Sequence, residues 1–212
     1  MNSLAFITLE TADTAAADRF YTTAFGLDAR LRLRATEAPT AGFRGFVMSL
    51  TASQPADVRS LVDAALDAGA TSLKPVTKSF WGYGGVVRAP DGTIWKIATS
   101  ARKDTGPATR RVDDVVLLLG AADVAASKEF YVGRGLTVTR SFGRKYVEFA
   151  SGPGSVKLAL YGRRALAKDV GVPVDGTGSH RIVLGGAGGE SAGSFVDPDG
   201  FAWEAVSLTP AP

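Results

Sequence analysis

Apolar and polar residues alternate with two different periods along the chain, that of strands and that of helices. Residues 4–9 and 112–119 are short apolar-rich runs that predict strands. Each is followed by a small-residue stretch led by an aspartate, Asp13 or Asp123, placed to accept the free N–H groups of a helix start. Phe20 and Phe130 fall on the buried faces of these helices, and Gly26 and Gly135 stop them. Between 55 and 68 the apolar positions Val58, Leu61, Val62, Ala65 and Leu66 keep helical spacing, and Gly69 ends that helix. Residues 146–150 and 156–161 predict two further strands. Arg30, Arg32 and Arg34 alternate with Leu31 and Leu33, which sets three guanidiniums on one strand face.

Much of this pattern occurs twice. Residues 12–21 recur as 122–131 with six of ten positions identical at an offset of 110. Residues 89–96 (APDGTIWK) recur as 197–204 (DPDGFAWE) at an offset of 108, and each Pro-Asp-Gly turn feeds a closing strand. Two separated blocks at nearly one offset mark a tandem duplication. The halves are 1–101 and 111–212, joined by a polar linker at 102–110 that holds a Gly-Pro breaker. They are unequal. The 55–68 helix has no counterpart in the second half, where residues 185–193 read as a glycine-rich loop, and the strands at 146–150 and 156–161 have none in the first.

Composition narrows the chemistry. The 212 residues include no cysteine and one histidine, His180, which excludes disulfides, thiolate chemistry and any His-rich metal centre within one copy. The net charge is only +3, spread evenly over the halves, so no polycationic track for nucleic acid is expected. No apolar run reaches a membrane span and the start of the chain lacks a secretory pattern, so a cytoplasmic protein is expected. Gly189-Glu190-Ser191-Ala192-Gly193 matches a hydrolase elbow in letters only, because no helix pattern follows and His180 precedes the serine.

A strand, an Asp-capped helix ending in Phe-Tyr, a later Gly-Leu, and a Pro-Asp-Gly turn leading to Trp-Lys or Trp-Glu resemble the vicinal oxygen chelate superfamily of glyoxalases, bleomycin-resistance proteins and extradiol dioxygenases. The stretches 74–95 and 158–169 are similar to one glyoxalase-like branch. The resemblance implies an α+β fold: two tandem halves of βαβββ-type modules whose curved mixed sheets enclose a cleft. It also implies where a metal would be held. The first-strand ligand falls on Phe6 in one half and Val116 in the other, and the last-strand carboxylate on Lys96 and Glu204. The fourth strand is missing from half one and offers no carboxylate in half two, and the fifth-strand position falls on His180 or Arg181. A catalytic metal wants about three protein ligands, so no metal or other cofactor is expected.

Two activities stay open under that resemblance. The first is a metal-independent binding protein for a small hydrophobic or aromatic molecule, with Trp81, Tyr83, Lys96, Phe6 and Arg34 as ligand-binding candidates. The second is a lyase, isomerase or dioxygenase using Glu204 and His180 as its acid–base groups, with or without a divalent metal. A module serving assembly alone is the third reading. The expected partner is a small molecule rather than nucleic acid or membrane. Because the duplicated chain can pair its own modules, it is expected as a monomer or homodimer.

Overall fold

In a computed structural model the structure describes residues 3–26, 29–80, 82–187 and 193–206. The elements of half one are β1 (Ser3–Thr11), α1 (Thr14–Phe25), β2 (Leu31–Ala35), β3 (Thr40–Gly42), β4 (Phe46–Thr51), α2 (Pro55–Asp67), β5 (Thr71–Ser79), β6 (Gly82–Arg88) and β7 (Ile94–Thr99). Half two supplies β8 (Asp114–Ala121), α3 (Val124–Gly133), β9 (Val138–Ser141), β10 (Tyr146–Phe149), β11 (Lys157–Gly162), α4 (Arg163–Val170), β12 (Gly176–Gly178), β13 (Ile182–Ala187), β14 (Phe195–Val196) and β15 (Ala202–Val206).

The local signals act as expected. Asp13 accepts from Ala16 N at 2.8 Å, and Asp123 from Ala125 N at 2.9 Å and Ala126 N at 3.3 Å, so the same side chain starts α1 and α3. Gly26 ends α1 at φ +59°, a left-handed conformation that a residue with a Cβ adopts only under strain. Part of the predicted glycine loop is instead strand: Gly185 and Gly186 belong to β13, while residues 188–192, with most of the Gly-x-Ser-x-Gly stretch, lie outside the described residues.

Each large sheet takes strands from both halves. The eight-stranded sheet runs β5-β6-β7-β4-β8-β11-β10-β9, and the antiparallel β4–β8 pair joins four strands of half one to four of half two. The five-stranded sheet runs β14-β15-β13-β1-β2, joined through the antiparallel β1–β13 pair. Helices α1, α2 and α3 cover one side of this scaffold, where Met48, Leu50, Trp95, Ile97, Leu117, Leu119 and Leu158 form the main core with Phe20, Tyr21, Leu61 and Tyr131. A second apolar cluster lies on the other side of the eight-stranded sheet. There Val47, Val86 and Ile94 pack against Leu166, Ala167 and Val170 of α4.

The linker is fastened along α2. Asp104 accepts from Ala56 N at 2.5 Å and so caps a helix whose own N-cap, Gln54, makes no side-chain capping bond. Gln54 instead holds Thr105 N, Gly106 N and Pro107 O, and Asp57 accepts from Thr109 N, Thr109 Oγ1 and Arg110 N. Burial pushes the Asp57 carboxyl up, but the bonds from Thr109, Gln54 and Arg110 outweigh it and hold it below the usual range.

Candidate functional site

Strand alternation and pairing decide which side chains meet. On β4, Val47 faces α4, so Ser49, two residues on, shares that face. Ser49 is paired with Lys96 on one side and Val116 on the other, and Val116 is paired with Lys157. The order Lys96–Ser49–Val116–Lys157 thus crosses the middle of the eight-stranded sheet on one face. Lys96 Nζ lies 2.6 Å from Asp169 Oδ2 on α4, and Lys157 Nζ lies 2.8 Å from Asp114 Oδ2 on β8. Both pairs are about one-third exposed, so each adds under about 1 kcal/mol to stability. Their effect on the site is larger: the row that carries Val116 and Lys96 holds two ammonium groups and no free carboxylate.

The same arrangement recurs on the five-stranded sheet. Phe6 is paired with Gly185, and Gly185 with Glu204. A Cβ on Gly185 would collide with the Phe6 ring, so only glycine lets the ring lie against β13. Arg32 stacks over Phe6 with its Cζ 3.4 Å from the ring centre. Arg34 grips Glu204 with two bonds of 2.8 Å, and Glu10 stands 3.6 Å from the same guanidinium. The Arg34 hydrogen bonds hold the Glu204 carboxyl below its usual range. Glu204 is therefore held as the ion-pair partner of Arg34.

By register, the position between first and last strands is Gly185 in half two, five residues after His180. His180 precedes β13. Its ring stacks on Phe201 at 4.2 Å, and its Nδ1 lies 2.6 Å from Arg44 O, an acceptor that requires an N–H there. Among the described residues, His180 and Glu204 each close a separate structural contact and do not converge. Tyr83 is paired with Thr99, which places it on the side of the sheet opposite Lys96, so no single cleft takes both. Trp81 lies outside the described residues. Of the seven candidates, Phe6, Arg34 and Glu204 come together, while Lys96 sits on the other sheet. No set of three or more Asp, Glu or His side chains converges among the described residues.

Helix α4 had no counterpart in the sequence expectations, and it shapes the space that is left. Leu166, Ala167 and Val170 pack down on Val47 and Ile94, while Lys74 Nζ donates to the Lys168 and Asp169 carbonyls at its C-terminal end. Gly171, at φ +79°, marks that end, and with the Leu166-Ala167-Val170 spacing it was the available signal. Where α4 begins, a cleft of about 960 Å³ opens between the ends of β8 and β11, the β9–β10 turn and β12. Ala121, Tyr161, Ala165 and Val174 give it an apolar floor, and Arg144, Lys145, Arg163 and Arg164 give it a cationic rim. Tyr161 is set by the edge of the Tyr146 ring, 5.9 Å away.

No family model and no curated protein matches the chain. Solved structures do. Glyoxalase I from Zea mays superposes with a TM-score of 0.61 at 15% identity, over 96% of this chain and 91% of that one. Its V278E mutant gives 0.60 at 14%, over 96% and 91%. A putative dioxygenase from Bacillus subtilis subsp. subtilis str. 168 gives 0.59 at 12%, over 96% and 84%. Among the described residues no helix is long and apolar enough to cross a membrane. Identities this low establish the fold alone: the chain shares the α+β fold of the Zea mays glyoxalase I, with mixed sheets that pair strands of both halves.

Proposed function

We propose that the protein binds a small apolar or aromatic molecule without the help of a metal, in the cleft at the start of α4. The observation that carries this reading is the row Lys96–Ser49–Val116–Lys157. A divalent cation needs oxygen or nitrogen donors that carry or share negative charge. Here two ammonium groups occupy the row, and the nearest carboxylates, Asp169 and Asp114, are already engaged by them. The donor set does not fit a metal. With α4 packed over the middle of that sheet face, an open volume of about 960 Å³ remains at the start of the helix, where Tyr161 and three small or branched apolar residues form a floor.

The same reading takes 1–101 and 111–212 as two copies of one ancestral unit, each stripped of different strands. It is tested by NMR titration of the labelled chain with a neutral aromatic such as 1-naphthalenemethanol. Saturable shifts are expected at Ala121, Tyr161, Ala165 and Val174. Shifts confined to other regions would refute the placement of the site.

A further inference from the structure

We infer that the cleft at the start of α4 is an anion site, whose ligand joins an apolar or aromatic body to a carboxylate or phosphate group. This rests on the preceding reading of the cleft and adds the charge of its occupant. The rim carries Arg144, Lys145, Arg163 and Arg164 against a single acid, Asp175. Five basic side chains elsewhere are neutralised by acids, Lys96 by Asp169, Lys157 by Asp114, Arg34 by Glu204, Arg59 by Asp104 and Arg111 by Asp113, and Arg32 is spent on the Phe6 ring. Arg163 is committed too, donating to Phe43 O at 3.0 Å and lying over the Phe43 ring.

Arg144, Lys145 and Arg164 differ from these. Among the described residues none of them forms an ion pair or a side-chain hydrogen bond, and all three are exposed at the mouth of the cleft. Like charges held around one opening repel each other in the free protein, and a bound anion relieves that repulsion while satisfying their donors. Two planar guanidinium forks suit the paired oxygens of a carboxylate or phosphate, and the lysine adds a point charge. A polyanion would need a track of such charge. The net charge of +3 and the even balance between the halves supply none, so the complement is a single small anion. The apolar floor then takes the uncharged part of the same molecule.

Three probes of one shape test the inference: 1-naphthoate, 1-naphthyl phosphate and the neutral 1-naphthalenemethanol, titrated by calorimetry and by NMR. Both anions are expected to bind about tenfold more tightly than the alcohol at low salt, and to lose that advantage by about 0.5 M salt. The triple variant Arg144→Gln, Lys145→Gln, Arg164→Gln should bind all three probes equally, with a thermal midpoint no lower than that of the unaltered chain. The salt dependence on the unaltered chain decides the matter even if that variant folds poorly. Equal binding of alcohol and anions by the unaltered chain would overturn the anion assignment and leave the small-molecule reading standing. Absence of cleft shifts with all three probes would overturn both.

Discussion

Replacing Asp197 by alanine is expected to destabilise the protein by about 3–5 kcal/mol, a large share of the stability of a domain this size. Asp197 accepts from Asp199 N at 2.9 Å and Phe201 N at 2.8 Å, and from the Tyr131 hydroxyl at 2.5 Å. That hydroxyl in turn accepts from Trp203 Nε1 at 3.1 Å. Asp197 and Tyr131 are buried, so the alanine variant leaves three donors without an acceptor where water does not reach. Asparagine keeps one oxygen for the two backbone N–H groups and should cost about 1–2 kcal/mol.

The pH dependence has a definite sign. Burial raises the Asp197 carboxyl above its ordinary 3.8, against the lowering by Tyr131 and Phe201, so the folded state binds this proton more tightly than the unfolded one. Its contribution is complete below 3.8 and declines as pH rises through the folded value. Urea denaturation should therefore show the gap between the parent and Asp197→Asn widest in acid and narrowing towards neutrality. A gap that widens towards neutral pH would contradict this account of the group.

Trp95→Ala should cost about 3–5 kcal/mol, because a fully buried ring packed at 4.9 Å from Phe25 and 5.4 Å from Tyr21 leaves a cavity the core cannot close. Its counterpart Trp203 is equally buried and meets Tyr131 at 5.6 Å, so the alanine variants should be similar. The phenylalanine variants should not. Trp203→Phe breaks the 3.1 Å bond to the Tyr131 hydroxyl, whereas Trp95 Nε1 approaches the Tyr21 hydroxyl without closing a bond of full hydrogen-bond geometry, so Trp95→Phe gives up less. Thermal melts should rank Trp203→Phe below Trp95→Phe, and the reverse order would show that the two copies are not packed as described.

What the sequence made legible was local. Asp13 and Asp123 start their helices, and the two Pro-Asp-Gly turns lead into strands carrying Trp95 and Trp203, because caps and turns are decided by neighbours a few residues apart. Pairing was not legible, since register is fixed by contacts between distant segments. Counting along the chain put the position opposite Glu204 at His180 or Arg181; the β13–β15 register puts Gly185 there. Nor does a count along one strand say that Tyr83 and Lys96 look to opposite sides of a sheet. The arginine strand shows the same lesson. Arg34 is one of three alternating guanidiniums, and its bond to Glu204 needed the strands of both halves to be brought into one sheet. Helix α4 left a short signal, eight residues with three apolar positions, and its packing on Val47 and Ile94 is a tertiary fact.

Lys96 and Lys157 are proposed to close the eight-stranded sheet's site to a divalent cation. The most direct test is calorimetric titration of the chelator-treated chain with zinc, nickel and manganese ions, with the thermal midpoint followed in parallel. No saturable one-to-one binding is expected, and chelator should leave the midpoint unchanged. One-to-one binding at about micromolar affinity or tighter, raising the midpoint by mass action, would contradict the proposed closure.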